Sequence, residues 1–67
     1  MNIILNNRPE SLKHERLSIN QLLKIKNFTF KMLVIKKNGI LVKKDAYDST
    51  EISDGDDIIV LHLVSGG

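Results

Sequence analysis

Cysteine is absent from the chain, and that absence removes several chemistries at once. There is no disulfide framework, no thiolate metal site and no thiol nucleophile. If the protein handles sulfur, a cysteine does not carry it. Long apolar runs are also missing, so no segment approaches the length of a membrane span. Met1-Asn2-Ile3-Ile4-Leu5 lacks the basic region and extended apolar core of a secretory leader. A cytoplasmic location, away from membranes, is therefore expected. Size excludes more. The 67 residues make one domain at most, spanning 1–67, with a flexible tail expected at 65–67. A chain this short buries only about 60% of its unfolded surface and has no room for a deep catalytic cleft.

Catalytic constellations are missing too. His14 and His62 are the only histidines, and neither has a metal-ligand spacing or a cysteine partner. The acids between Asp45 and Asp57 do not fit a calcium loop. They read as a solvated rim, and no resident cofactor or metal is expected. Gly39 and Gly55 sit in turn sequences, not in a phosphate-binding loop, and Ser11, Ser18, Ser49, Ser53 and Ser65 have no evident base.

What is present is folded in character: 42% hydrophobic and 27% charged residues are ordinary for a globular protein. Charge is unevenly spread. Residues 1–44 hold all ten Lys and Arg against Glu10 and Glu15, a net +8, and residues 45–67 hold six acids and no cation, a net −6. The basic half taken alone would suit nucleic acid. A compact fold mixes the halves in space, so a solvated surface is the plainer reading and a docking surface for a charged protein partner comes next.

In chain order, Asn2–Leu5 is an aliphatic run that reads as a strand buried on both faces. Asn6-Asn7 suits a tight turn, because asparagine tolerates positive φ. Pro9 belongs at a turn exit or on an edge strand. Glu10–Leu17 reads as a second, more polar strand with Leu12 pointing inward. Ser18-Ile19-Asn20-Gln21 is a capping-box pattern. Ile19, Leu22 and Leu23 then follow at helical spacing, with Ile25 at the stripe's edge and an end near Lys26 or Asn27. Phe28 and Phe30 are expected core residues. Met32–Lys37 and Ile40–Val42 flank Asn38-Gly39, the strongest hairpin signal in the chain. Tyr47 is expected to pack its ring and leave its hydroxyl wet. Asp54-Gly55-Asp56 is a turn. Asp57–Val64 is almost wholly apolar and reads as a central strand covered on both sides.

Strand, strand, helix, strand, short strand, long strand is the order of a β-grasp, or ubiquitin-like, fold. This is an α+β class, with a mixed sheet of four to five strands and one main helix on one face. The two most apolar strands, first and last, would be parallel neighbours joined by a right-handed crossover. The chain then ends on Val64-Ser65-Gly66-Gly67. Glycines without a Cβ can enter a narrow slot, so Gly66-Gly67 would present the Gly67 carboxylate on a bare arm.

Several stretches together resemble the ThiS family of sulfur carriers in thiamine biosynthesis, within the ThiS/MoaD superfamily. They are Ser18-Ile19-Asn20-Gln21-Leu22-Leu23, Asn38-Gly39-Ile40-Leu41-Val42, Lys43-Lys44-Asp45-Ala46-Tyr47, Asp54-Gly55-Asp56-Asp57-Ile58-Ile59-Val60 and the tail. Lys43 departs from the proline frequent there in the family. The resemblance implies a carrier and not an enzyme. An E1-like adenylating enzyme (ThiF type) takes Gly67, with Ser65 and Gly66, into its active site. The Gly67 carboxylate, ionised above a pKa of about 3.3–3.7, attacks the α-phosphorus of the partner's ATP, with magnesium neutralising charge. A persulfide sulfur donor then displaces AMP, and the resulting thiocarboxylate serves thiazole synthase (ThiG type). The domain is expected to be a monomer when free, with Lys43, Lys44 and Tyr47 as docking candidates. The small subunit of molybdopterin synthase and a ubiquitin-like modifier share these features. A nucleic-acid-binding β-grasp module is the alternative of another class, and it leaves the Gly66-Gly67 end unexplained.

Overall fold

The computed structural model describes residues 1–29 and 32–63. Its elements are β1 (Asn2–Leu5), β2 (Arg8–Ser11), β3 (Leu17–Ser18), α1 (Ile19–Ile25), β4 (Leu33–Lys37), β5 (Ile40–Val42), β6 (Glu51–Ile52) and β7 (Asp57–His62), with one 3₁₀ turn at Lys44–Ala46. Five strands form a mixed sheet in the order β2-β1-β7-β4-β5, and β3 pairs with β6 in a second, two-stranded sheet. The β1–β7 pair is parallel and every other pair is antiparallel. This is the mixed sheet with one helix expected of a β-grasp.

Local chemistry explains the elements. Asn6 (φ 51°) with Asn7 (φ 66°), and Asn38 (φ 51°) with Gly39 (φ 82°), close the two hairpins with left-handed residues that match the strands' right-handed twist. Pro9 lies on the edge strand β2, where its missing N–H costs nothing. Helix α1 opens on a complete capping box. The Gln21 N–H donates to Ser18 Oγ at 3.1 Å, and the Ser18 N–H donates to Gln21 Oε1 at 2.9 Å. It closes by a Schellman motif in which Asn27 (φ 59°) takes the glycine's role. The Phe28 N–H reaches the Leu23 carbonyl at 2.8 Å, and the Asn27 N–H reaches that of Lys24 at 3.1 Å. That turn delivers Phe28 onto the core as a half-buried ring. Phe30, expected beside it, lies outside the described residues.

The core fills the space between α1 and one face of the large sheet. Ile3 and Leu5 of β1, Ile35 of β4, and Ile58 and Val60 of β7 point into it. Ile19, Leu22 and Leu23 meet them from the helix, and Leu17 and Ile52 from the small sheet. Leu12 and Tyr47 pack at its margin.

Three expectations need correction. First, β1 and β7 are not buried on both faces. Ile4 is 38% exposed and Leu61 49%, because one helix covers only one side of a sheet. Second, Glu10–Leu17 is not one strand. β2 spans Arg8–Ser11, and Leu17 belongs to β3, where it pairs with Ile52. Third, Met32 precedes β4 instead of opening it and is 52% exposed.

Candidate functional site

Val64, Ser65, Gly66 and Gly67 lie outside the described residues, so the site is approached through what holds and surrounds its root. β7 is the central strand. It pairs with β1 from Asp57 to Ile58 and with β4 from Ile58 to His62. Past the end of β1 an asparagine extends the bonding. The Asn6 N–H donates to the Ile58 carbonyl at 2.9 Å, and the Val60 N–H donates to Asn6 Oδ1 at 2.7 Å. On the opposite edge the Leu63 N–H donates to the Met32 carbonyl at 3.0 Å. The strand is therefore hydrogen-bonded up to the last described residue before the tail. A short segment attached there starts from a fixed position.

The sheet face away from α1 carries Ile4, Ile59, Leu61, Val34 and Leu41, with Lys36 set between Ile59 and Leu41 by the strand register. Leu41 is 56% exposed. Apolar side chains grouped on an uncovered face mark an interaction surface more often than chance exposure does. Toward the root of the tail this face runs into a groove of about 440 Å³ lined by Met32, Val34, Leu41, Lys44, Tyr47 and Leu63, among others.

The docking candidates separate there. Lys44 and Tyr47 line the groove together with Leu63, whereas Lys43 is exposed outside it and caps the 3₁₀ turn through its backbone. Tyr47 is half-buried against the core, and its carbonyl accepts from the Asn20 N–H at 3.1 Å. Sequence reasoning missed Met32, Val34 and Leu41 as part of this surface. The available signal was the count of helices: one helix leaves every second residue of an apolar strand without cover.

The two oppositely charged halves of the sequence are interleaved in space. Lys37 approaches Asp56 at 3.8 Å, and its Nζ donates to the Glu51 carbonyl at 2.7 Å. Arg16 and Lys24 border the same shallow depression as Asp48 and Glu51. Arg16, Lys24 and Lys37 of the basic half thus sit beside acids of residues 45–67. Among the described residues no group of three or more His, Asp and Glu is placed to hold a metal ion, and no helix is long and apolar enough to cross a membrane.

Comparison with known proteins agrees with this geometry. No curated protein sequence matches the chain. Among solved structures, the crystal structure of a thiamine biosynthesis protein (ThiS) from Geobacter metallireducens superposes with a TM-score of 0.90 at 28% identity, covering 100% of both chains. The solution structure of a thiamine biosynthesis protein from the same organism gives a TM-score of 0.83 at 28% identity, covering 100% of this chain and 88% of that one. The ThiS family profile matches residues 3–67, from the first core strand through both terminal glycines. The likeness in fold covers the whole length, the family profile spans nearly all of it, and the chain belongs to the ThiS family.

Proposed function

We propose that this protein is a sulfur carrier of thiamine biosynthesis whose cargo is borne on the carboxyl group of Gly67. One observation carries the reading: the family match spans residues 3–67 and so reaches Gly67. The chemistry asks little of the domain. A terminal carboxylate is ionised at neutral pH without an assisting base. One of its oxygens attacks the α-phosphorus of ATP held with magnesium by a ThiF-type adenylating enzyme. Pyrophosphate leaves, and the mixed anhydride that forms is activated toward sulfur. A persulfide displaces AMP, cleavage of its S–S bond by a second thiol leaves the thiocarboxylate, and a ThiG-type thiazole synthase consumes it. Every catalytic group in this scheme belongs to a partner. The chain supplies a narrow arm, a rigid strand at its root and a face to dock.

The open apolar face and the Lys44–Tyr47 groove support a docking role, since both adjoin the strand that carries the tail. Ser65 and Gly66 form the part of the arm that enters the partner. A bulky residue at 66 would block entry into a narrow slot that a bare glycine arm can pass. Gly66→Phe is therefore expected to abolish pyrophosphate release with a ThiF-type enzyme and MgATP, while thermal unfolding stays that of the parent. Undiminished pyrophosphate release would show that a bare arm is not required.

A further inference from the structure

We propose that Asn38-Gly39 is a deamidation site held closed by Asp56 and Asp57, and that its conversion to a carboxylate uncouples the β4–β5 hairpin from the start of β7. The hairpin tip is not free. The Asn38 N–H donates to the Asp57 carbonyl at 2.7 Å. Its side chain is held at both polar atoms: Nδ2 donates to Asp56 Oδ1 at 3.1 Å, and Oδ1 accepts from the Asp57 N–H at 2.9 Å. Asp56 is fixed in turn. Its Oδ2 accepts from the Ser53 N–H at 2.8 Å and lies 3.8 Å from Lys37 Nζ. The hairpin tip and the turn that leads into β7 are therefore joined through one asparagine amide.

The next residue makes that amide vulnerable. Glycine is the least hindered nucleophile a peptide bond can offer, and both Asn38 and Gly39 are exposed. A Cβ built on Gly39 would meet nothing within 4 Å, so no neighbouring group crowds the turn there. When the Gly39 nitrogen loses its proton to base, it attacks Asn38 Cγ. A Cγ–N bond forms, the Cγ–Nδ2 bond breaks, and the side-chain nitrogen leaves as ammonia. Water then opens the resulting succinimide to aspartate or isoaspartate. The net change is amide plus water to acid plus ammonia, with no oxidation.

The ring can close only if Cγ turns toward the Gly39 nitrogen, and the two side-chain hydrogen bonds oppose that rotation. Their acceptor and donor are a carboxylate and a backbone amide, and hydrogen bonds to charged groups are the stronger kind. Once formed, the product cannot rebuild the contact. An aspartate at 38 has no hydrogen to give Asp56 and places a second negative charge beside it. An isoaspartate adds one carbon to the main chain and breaks the two-residue turn. The site lies at the opposite end of β7 from the tail, because Lys37 pairs with Ile58 while Leu33 pairs with His62. Damage there is read in stability and is independent of the sulfur-carrier reading.

The test is peptide mapping of the full chain incubated at mildly alkaline pH, folded or unfolded in urea. Asn38 should lose its amide about tenfold or more slowly in the folded chain, the factor that one hydrogen bond to a charged group is worth. Asp56→Ala should restore most of that rate while circular dichroism still reports a folded protein, and Asn38→Asp should lower the melting temperature. Equal rates in folded and unfolded chains would overturn the proposal. So would an unchanged rate in folded Asp56→Ala, or a parental melting temperature for Asn38→Asp. Should Asp56→Ala fail to fold, the folded-against-unfolded comparison and the Asn38→Asp melting temperature decide the matter.

Discussion

Val60 and Leu61 are neighbours in sequence and alike in chemistry, yet one is 7% exposed and the other 49%. They stand for the two faces of one sheet. On the inner face Ile3, Leu5, Ile35, Ile58 and Val60 are closed over by α1. On the outer face Ile4, Leu41 and Leu61 are exposed and Val34 is half-buried, and among the described residues no helix covers them. A strand's alternation assigns side chains to faces without regard to whether a cover exists. Equal hydrophobicity thus serves folding on one side, and on the other, under the proposed function, docking.

This division is open to direct attack. The inner face should show the largest effect. Ile35 is 0% exposed, and Ile35→Ala should cost about 2–5 kcal/mol, the range for emptying a buried branched site. Urea unfolding followed by circular dichroism measures it. A domain of this size has only about 3–10 kcal/mol in total, so the variant should be close to unfolded at ambient temperature. A loss below about 0.5 kcal/mol, the scale of an ordinary surface substitution, would mean that Ile35 is not at the core.

The outer face should invert that result. Leu61→Asp is expected to leave stability within about 0.5 kcal/mol of the parent. Adenylation by a ThiF-type enzyme should nevertheless slow more than about tenfold, as loss of a central interface anchor of about 2 kcal/mol implies. Steady-state pyrophosphate release, set beside the unfolding curve, separates the two readouts. Normal adenylation by a folded variant would remove the outer face from docking. The smallest effect concerns how the helix is held over its face. Ser18→Ala removes the acceptor for the Gln21 N–H and should cost about 0.5–2 kcal/mol. Adenylation should be unaltered wherever the protein remains folded.

Much of the fold was legible because its signals are local. The capping box at Ser18 and Gln21, the left-handed pairs at Asn6-Asn7 and Asn38-Gly39, and the turn at Gly55 each carry their own geometry, and each is where the sequence places it. Two kinds of feature were not legible. Leu17–Ser18 and Glu51–Ile52 make two-residue strands, too short to show any period, although Leu17 and Ile52 are each 1% exposed. The open face was misread for a different reason. An unbroken apolar run looks the same whether both its faces are covered or only one. The helix stop, by contrast, lies where the sequence places it, at Lys26 and the left-handed Asn27. As for the candidate site, Lys44 and Tyr47 do meet at one groove with Leu63. Its remaining wall, from Met32 to Val42, comes from residues that read simply as hairpin strands, with no face assigned.

Intact-mass measurement of the carrier after incubation with a ThiF-type enzyme, MgATP and a persulfide donor tests the central claim most directly. The account predicts a mass gain equal to exchange of one oxygen for sulfur, located by fragmentation at Gly67. An unmodified carboxylate at Gly67 after complete ATP-dependent turnover with every such enzyme would contradict it.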